Sequence, residues 1–420
     1  MNNLLLFFLR QCKRISIVFF IFTFGMAHAQ TRLDPAKPEA AGTLMIIGGA
    51  LRTDNAVVWE KIVALSGGKG AKIAVIPAAA ANPENAGKNI ADTLNRYGAS
   101  AFVVPLSVRL QGSDYQKVAN DPVVASQIRA AGGVYFSGGD QGRITQALVK
   151  PDGTKSAALQ AIWDVYHRGG VIAGSSAGAA IMSSTMFYDA KAVLPTLQFG
   201  VNEGKEIAPG LGFIGDQVFV DQHLIIRGRF ARMIPLMLKK NYKLGLGIDE
   251  NTAMIVRGRA DVEILGYKGA ILMDLSEAIS EAQLNAFNIS NVKISYLDRG
   301  DRYNLQTKVL ITSKEKQKGV VDPANPYNTE KKFYPDILGN TTVVDLMQDL
   351  IDNKQLQTKA LAFGDPEAPN AEAGFEFTFS KTAESKGYFS SALGSDAYTV
   401  INIRMDIRPI VMQTPLYRYK

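Results

Sequence analysis

Residues 169–187, GGVIAGSSAGAAIMSSTMF, set two serines between glycines, after a short apolar run and before a stretch of small, helix-forming residues. Only Ser176 satisfies a Gly-x-Ser-x-Gly frame, through Gly174 and Gly178; centring on Ser175 puts Ala173 and Ala177 in the flanking places. The spacing predicts a strand that turns sharply into a helix. Such a turn strains its central residue, requires neighbours without bulky side chains, and pushes the central hydroxyl into solvent. It also aims the Ala177 N–H and the helix N-terminus at the place where a tetrahedral oxyanion would form. The chemistry implied is nucleophilic attack on an acyl group. The competing reading is a tight turn whose small residues only let the helix pack closely.

A serine nucleophile needs a base. Of the three histidines, His28 falls in an N-terminal segment expected to be removed, and His167 follows the apparent helix AIWDVY. His223 lies in VFVDQHLIIRGRFAR, between polar residues at the end of an apolar strand, where a site at a sheet edge would recruit it. A carboxylate must then accept from the imidazole and fix its tautomer. Glu250, in LGLGIDENTAMIV, is the first choice, Asp189 the competitor and Glu203 the third.

These residues need a scaffold. TLMIIGGA, KIAVIPAA, AFVVPL, GGVYFSGG and GGVIAGSS are Val- and Ile-rich runs ending in Gly, Pro or Ser, the texture of buried parallel strands. DNAVVWEKIVAL, PENAGKNIADTLNRYG, DPVVASQIRAAG and KSAALQAIWDVYHRGG alternate with them and repeat apolar residues at helical spacing. The expected fold is α/β, a doubly wound, mostly parallel sheet with helices on both faces. Both GGDQGR, at 138–143, and GSSAG then fall at the carboxyl edge of the strands, where such sheets bind ligands. Farther on, residues 244–273 look like a meander of short strands, residues 313–340 are polar with three prolines, TTVVDLMQDLIDN is a helix, and AYTVINIRMDIRPIVM is a strand.

At the N-terminus, Arg10, Lys13 and Arg14 precede an apolar run from Ile15 to Met26, and Ala27-His28-Ala29 supplies small residues for cleavage. Residues 1–29 therefore read as a signal peptide cut before Gln30, with a secreted, periplasmic or extracellular product. The run is shorter than the ~20 residues that span a bilayer, so no stable membrane span is expected. Cleavage removes Cys12, the only cysteine, and lowers the net charge from +7 to +4, since three basic residues and no acidic one lie in the segment. That charge is too mild, and too scattered, to point to nucleic acid. No His, Cys or carboxylate cluster has metal-ligand spacing, and no cofactor is expected.

Four motifs occur together and in order: Gly138-Gly139-Asp140-Gln141; Gly174-Ser175-Ser176-Ala177-Gly178-Ala179; Asp221-Gln222-His223 with Arg227-Gly228-Arg229 and Arg232; and Gly247-Ile248-Asp249-Glu250-Asn251-Thr252-Ala253. Over residues 41–285 the chain resembles the cyanophycinases, serine exopeptidases related to aspartyl dipeptidases and to the class I glutamine amidotransferase fold. With its signal peptide it is similar to the extracellular branch, whose members carry a C-terminal extension; here that would be residues 286–420, mixed strands and one helix. The resemblance implies hydrolysis of cyanophycin, a polyaspartate with arginine on each β-carboxyl, to β-aspartyl-arginine dipeptides. It implies Ser176 as nucleophile, His223 as base, and a pocket lined by Gln141, Asp221, Gln222, Arg227, Arg229 and Arg232. Backbone N–H groups of Gly139 and Ala177 would hold the oxyanion. The arginines suit the carboxylates of such a substrate. Leu224, where an aromatic often follows the histidine, and the insertion Lys150–Lys155 depart from the pattern and bear on pocket shape. The alternatives are an isoaspartyl or aspartyl dipeptidase of the same fold and a non-catalytic peptide- or polymer-binding module. The related fold commonly forms homodimers.

Overall fold

The first 150 residues of the α/β region alternate strands and helices because their apolar residues alternate between periods of two and of three to four. The computed structural model describes residues 42–284, 286–392, 396–413, 415–418 and 420; the expected signal peptide lies outside them. Five strands, β1 (Thr43–Ile47), β2 (Lys72–Ile76), β3 (Ser100–Val103), β4 (Gly133–Phe136) and β5 (Val171–Ser175), pair in parallel in the order β1-β5-β4-β2-β3. Side chains of a strand alternate between faces. Accordingly Met45 and Ile47 pack with Trp59, Ile62 and Leu94 from helices Ala56–Leu65 and Pro83–Arg96. Leu44 and Ile46 pack on the opposite face with Ile128, Ile162 and Tyr166 from helices Pro122–Arg129 and Ala157–His167. The chain is an α/β protein with helices on both faces of this sheet. Helix starts follow capping chemistry: Asn82, before Pro83, accepts from the Asn85 N–H, and Ser156 accepts from that of Leu159.

Beyond β1 the sheet continues antiparallel through Thr252–Arg257, Asp261–Gly266, Arg302–Asn304 and Leu310–Ile311. A second, eight-stranded sheet begins with Val218–Gln222, which pairs in parallel with Leu244–Ile248. It continues antiparallel through Ala270–Asp274, Ile289–Leu297, Ala397–Val411, Ala373–Ser380 and Gln357–Phe363, with Lys386–Ser390 also on the long strand. The expected meander over 244–273 is therefore divided between two sheets. Its first and last strands join the second sheet, its middle pair joins the first, and Asp249-Glu250-Asn251 cross from one to the other. Gly245 and Gly247 permit this placement: a side chain at Gly245 would run into Met233 and Met237 of helix Met233–Lys240, and one at Gly247 into Leu224.

Residues on both sides of 285 share the second core. Leu224, Phe230 and Ile234 are buried with Ile337, Val343 and Phe377, and the Phe230 and Phe377 rings meet edge to face at 5.9 Å. The turn Arg227-Gly228-Arg229 rests directly on the Leu338 carbonyl, which leaves no room for a side chain at Gly228. No helix among the described residues is long and apolar enough to cross a membrane.

Candidate active site

The carboxyl ends of β1 and β5 from the first sheet meet those of Val218–Gln222 and Leu244–Ile248 from the second. Ser176 follows β5 with φ 53° and ψ −108°, a backbone that non-glycine residues rarely adopt. The turn closes so tightly that a side chain on Gly174 would meet the Gly178 carbonyl oxygen at 2.2 Å. Ser176 thus takes the elbow geometry expected of a Gly-x-Ser-x-Gly nucleophile turn, and Ala177 opens the short helix Ala177–Ala180. Ser175 belongs to the strand instead: it is buried, on the sheet face it shares with Tyr135, whose phenol burial pushes well above its usual value.

His223 also has positive φ, 52°, and its N–H donates to the Gly48 carbonyl at 2.9 Å, tying the end of one sheet to the other. Its Nε2 lies 2.8 Å from the Ser176 Oγ, and its Nδ1 lies 2.5 Å from Glu250 Oε1. Glu250 is able to serve as the orienting carboxylate because it sits on the inter-sheet crossover. Glu203, by contrast, pairs with Lys240 at 2.8 Å. With imidazole Nδ1–H donating to Glu250, Nε2 is left to accept the serine proton.

Burial lowers the His223 pKa below its ordinary value, reinforced by the charges of Arg227 and Arg229 and opposed by Glu250. The imidazole therefore stays neutral, and basic, to lower pH than a free one. A kcat/KM profile is expected to lose activity on its acid side with a midpoint below 6.5, the ordinary imidazole value. An acid limb at or above that value would contradict this balance of burial and charge.

Arg227 is half exposed, 3.6 Å from Glu250 Oε1. Arg229 is partly buried, donates from Nη1 to the Gln222 carbonyl and side-chain oxygens at 3.0 and 3.3 Å, and is pushed down to about 10 by burial and by Arg232. It remains charged at neutral pH, a cation held beside the histidine. Asp221 and Arg232, expected to line the pocket, are buried and paired with each other through two 2.8 Å bonds, with the Arg232 guanidinium 4.2 Å from the centre of the Phe187 ring. Asp221 also accepts from the Gln222 N–H at 2.9 Å, and either charge left there without its partner would be costly. Gln141 starts helix Gln141–Leu148 and donates to the Phe187 carbonyl at 2.7 Å. Gly138 runs so close to the nucleophile that a methyl group there would stand 3.3 Å from the Ser176 Cβ, and this brings Gly139 to the same edge.

Two residues of the site escape a sequence reading centred on titratable groups. Gly49, just after β1, has φ 116° and packs flat on the imidazole, so that a side chain there would overlap His223 Cε1. The Gly48-Gly49 pair closing TLMIIGGA was its only signal. Asn251 donates its N–H to the Gly49 carbonyl and is itself held by Asn55 Nδ2 at 2.9 Å, so it sets the end of the Glu250 crossover. Gly49→Ala is expected to lower kcat about 100-fold by displacing the imidazole, and also to cost about 1–3 kcal/mol of stability because φ 116° is strained for any residue with a Cβ. Steady-state kinetics beside a urea denaturation curve check this.

A serine at an elbow, a histidine within hydrogen-bond reach and a carboxylate behind it, on an α/β scaffold, define the class: a serine-type hydrolase. The family model described as Peptidase family S51 matches residues 44–264, and the chain belongs to that family of serine-type peptidases. A cyanophycinase of Synechococcus elongatus is 30% identical over 280 residues, which cover 63% of this chain and 80% of that protein. A cyanophycinase of Geminocystis herdmanii is 28% identical over 285 residues, 64% of this chain and 96% of that one. Among solved structures, a peptidase from an acI-B1 Actinobacterium is 19% identical with a TM-score of 0.44, covering 66% of this chain and 97% of that one.

Proposed function

We propose that this peptidase hydrolyses cyanophycin and releases β-aspartyl-arginine dipeptides through an acyl-enzyme. The observation that carries the reading is the unbroken line Ser176–His223–Glu250 with two cationic arginines, Arg227 and Arg229, beside it. Its relatives named cyanophycinase support the substrate. Ser176 Oγ attacks the backbone carbonyl of the polymer while His223 Nε2 takes the hydroxyl proton. Glu250 stabilises the imidazolium, and the N–H groups of Ala177 and Gly139 receive the oxyanion. The C–N bond then breaks, His223 returns the proton to the departing amine, and a water activated by the same imidazole frees the acyl group. Arg227 and Arg229 take substrate carboxylates, with Gln141 and Gln222 as neutral partners.

Residues 1–29 are proposed to direct secretion, and residues 286–420 to act as an extension that braces the arginine turn. A homodimer is proposed as the assembly. Incubating the chain from Gln30 onward with insoluble cyanophycin and with soluble isoaspartyl dipeptides tests the substrate. Release of β-aspartyl-arginine from the polymer is expected. Cleavage confined to the small dipeptides would instead make the chain an isoaspartyl dipeptidase, and binding without cleavage a polymer-binding module.

A further inference from the structure

The segment that follows strand Thr185–Phe187 is tied to residues 138–142, which begin against Ser176, and Tyr188 and Asp189 have no part in the mechanism above. Gln141 fixes it from one side, donating to the carbonyls of Phe187 and Tyr188 at 2.7 and 3.3 Å. On the other side, the Tyr188 N–H donates to the Glu206 carbonyl at 2.8 Å and the Asp189 N–H to that of Lys205 at 3.2 Å. The phenol of Tyr188 lies against Gly142, where no side chain would fit, yet is 48% exposed. Asp189 is exposed and has no ion-pair partner among the described residues. Two neighbouring cations are occupied elsewhere: Lys191 pairs with Glu206 at 3.0 Å and Arg143 with Asp140 at 3.3 Å. With Glu250 on His223, Asp189 is not needed as the orienting carboxylate.

We infer that Tyr188 and Asp189 form a guanidinium-binding wall that selects arginine in the substrate, an inference that rests on the cyanophycin reading above. The site then has two unlike sides. Arg227 and Arg229 present positive charge for carboxylates, and the Tyr188 face with the Asp189 carboxylate presents an aromatic surface and negative charge. A guanidinium suits the second side because it stacks on an aromatic face and donates in a planar fork to a carboxylate. A β-aspartyl-arginine unit carries carboxylate and guanidinium at opposite ends, so the two sides fix its direction.

The test compares a short cyanophycin oligomer with one carrying citrulline, an uncharged analogue of arginine similar in shape. The unmodified protein is expected to favour arginine in kcat/KM by about tenfold, the scale of one cation–π contact and one exposed ion pair together. Asp189→Asn and Tyr188→Ala should each collapse this ratio by slowing only the arginine substrate, whereas Tyr188→Phe should keep it. If the unmodified protein cleaves the arginine oligomer and the ratio is the same in Asp189→Asn and Tyr188→Ala, the wall is overturned and the parent reading stands. If it cleaves neither oligomer, the parent reading falls and the wall with it.

Discussion

Ser176→Ala is expected to lower kcat for β-aspartyl-arginine release by about 10⁵-fold or more, the scale seen when the nucleophile of a serine triad is removed. Binding of the oligomer should survive, since Arg227, Arg229, Gln141 and Gln222 are untouched. The fold should survive too, because alanine removes one part-buried hydroxyl bonded only to the His223 ring and relaxes nothing in the core. The adjacent Ser175→Ala is the decisive control. Ser175 is buried in β5 beside Tyr135, so Ser175→Ala should cost at most about 1 kcal/mol of stability with kcat little changed. Single-turnover kinetics and denaturation curves separate the two serines. Were Ser175→Ala to abolish turnover while Ser176→Ala retained it, the elbow would have been assigned to the wrong residue.

The two serines could be ranked from sequence because the rule that separates them is local: only Ser176 has glycine on both sides at the right spacing. The parallel strands and their helices were legible for the same reason, being short apolar runs and helical periods readable within a dozen residues. Sheet membership was not. Leu244–Ile248 and Thr252–Arg257 are both apolar on both faces, and nothing within either strand says that one pairs with Val218–Gln222 and the other with β1. Strands Gln357–Phe363 and Ala373–Ser380 do largely alternate buried residues with more accessible ones, as one-sided strands should, but they lie amid short segments rich in turns that mask the pattern. The pairing of Asp221 with Arg232 was not legible either. Their types suggest ligand binding, but eleven residues of strand, turn and 3₁₀ helix decide whether the side chains face substrate or each other. Gly49 carries no functional group at all, so only the packed imidazole shows its part in the site.

Glu250→Gln is expected to lower kcat by about 10³–10⁴-fold with KM nearly unchanged, as when the orienting carboxylate of a serine triad becomes an amide. The amide keeps the size of the group, but its NH₂ can donate to Nδ1, which favours the tautomer whose Nε2 carries the proton and cannot accept one from Ser176. It also withdraws the negative charge that stabilises the imidazolium formed during attack. The same change should move the acid limb of the residual activity to lower pH. Glu250 raises the His223 pKa, while burial, Arg227 and Arg229 lower it, so removing the carboxylate leaves only the lowering influences. A protein that merely lost packing at residue 250 would show no such shift. Asp189→Asn, assayed on the citrulline oligomer, should leave kcat and the acid limb in place, since that carboxylate has no bond to the imidazole. If Glu250→Gln cost less than tenfold and left the pH profile where it was, the carboxylate acting on His223 would have to be sought elsewhere, with Asp189 first in line.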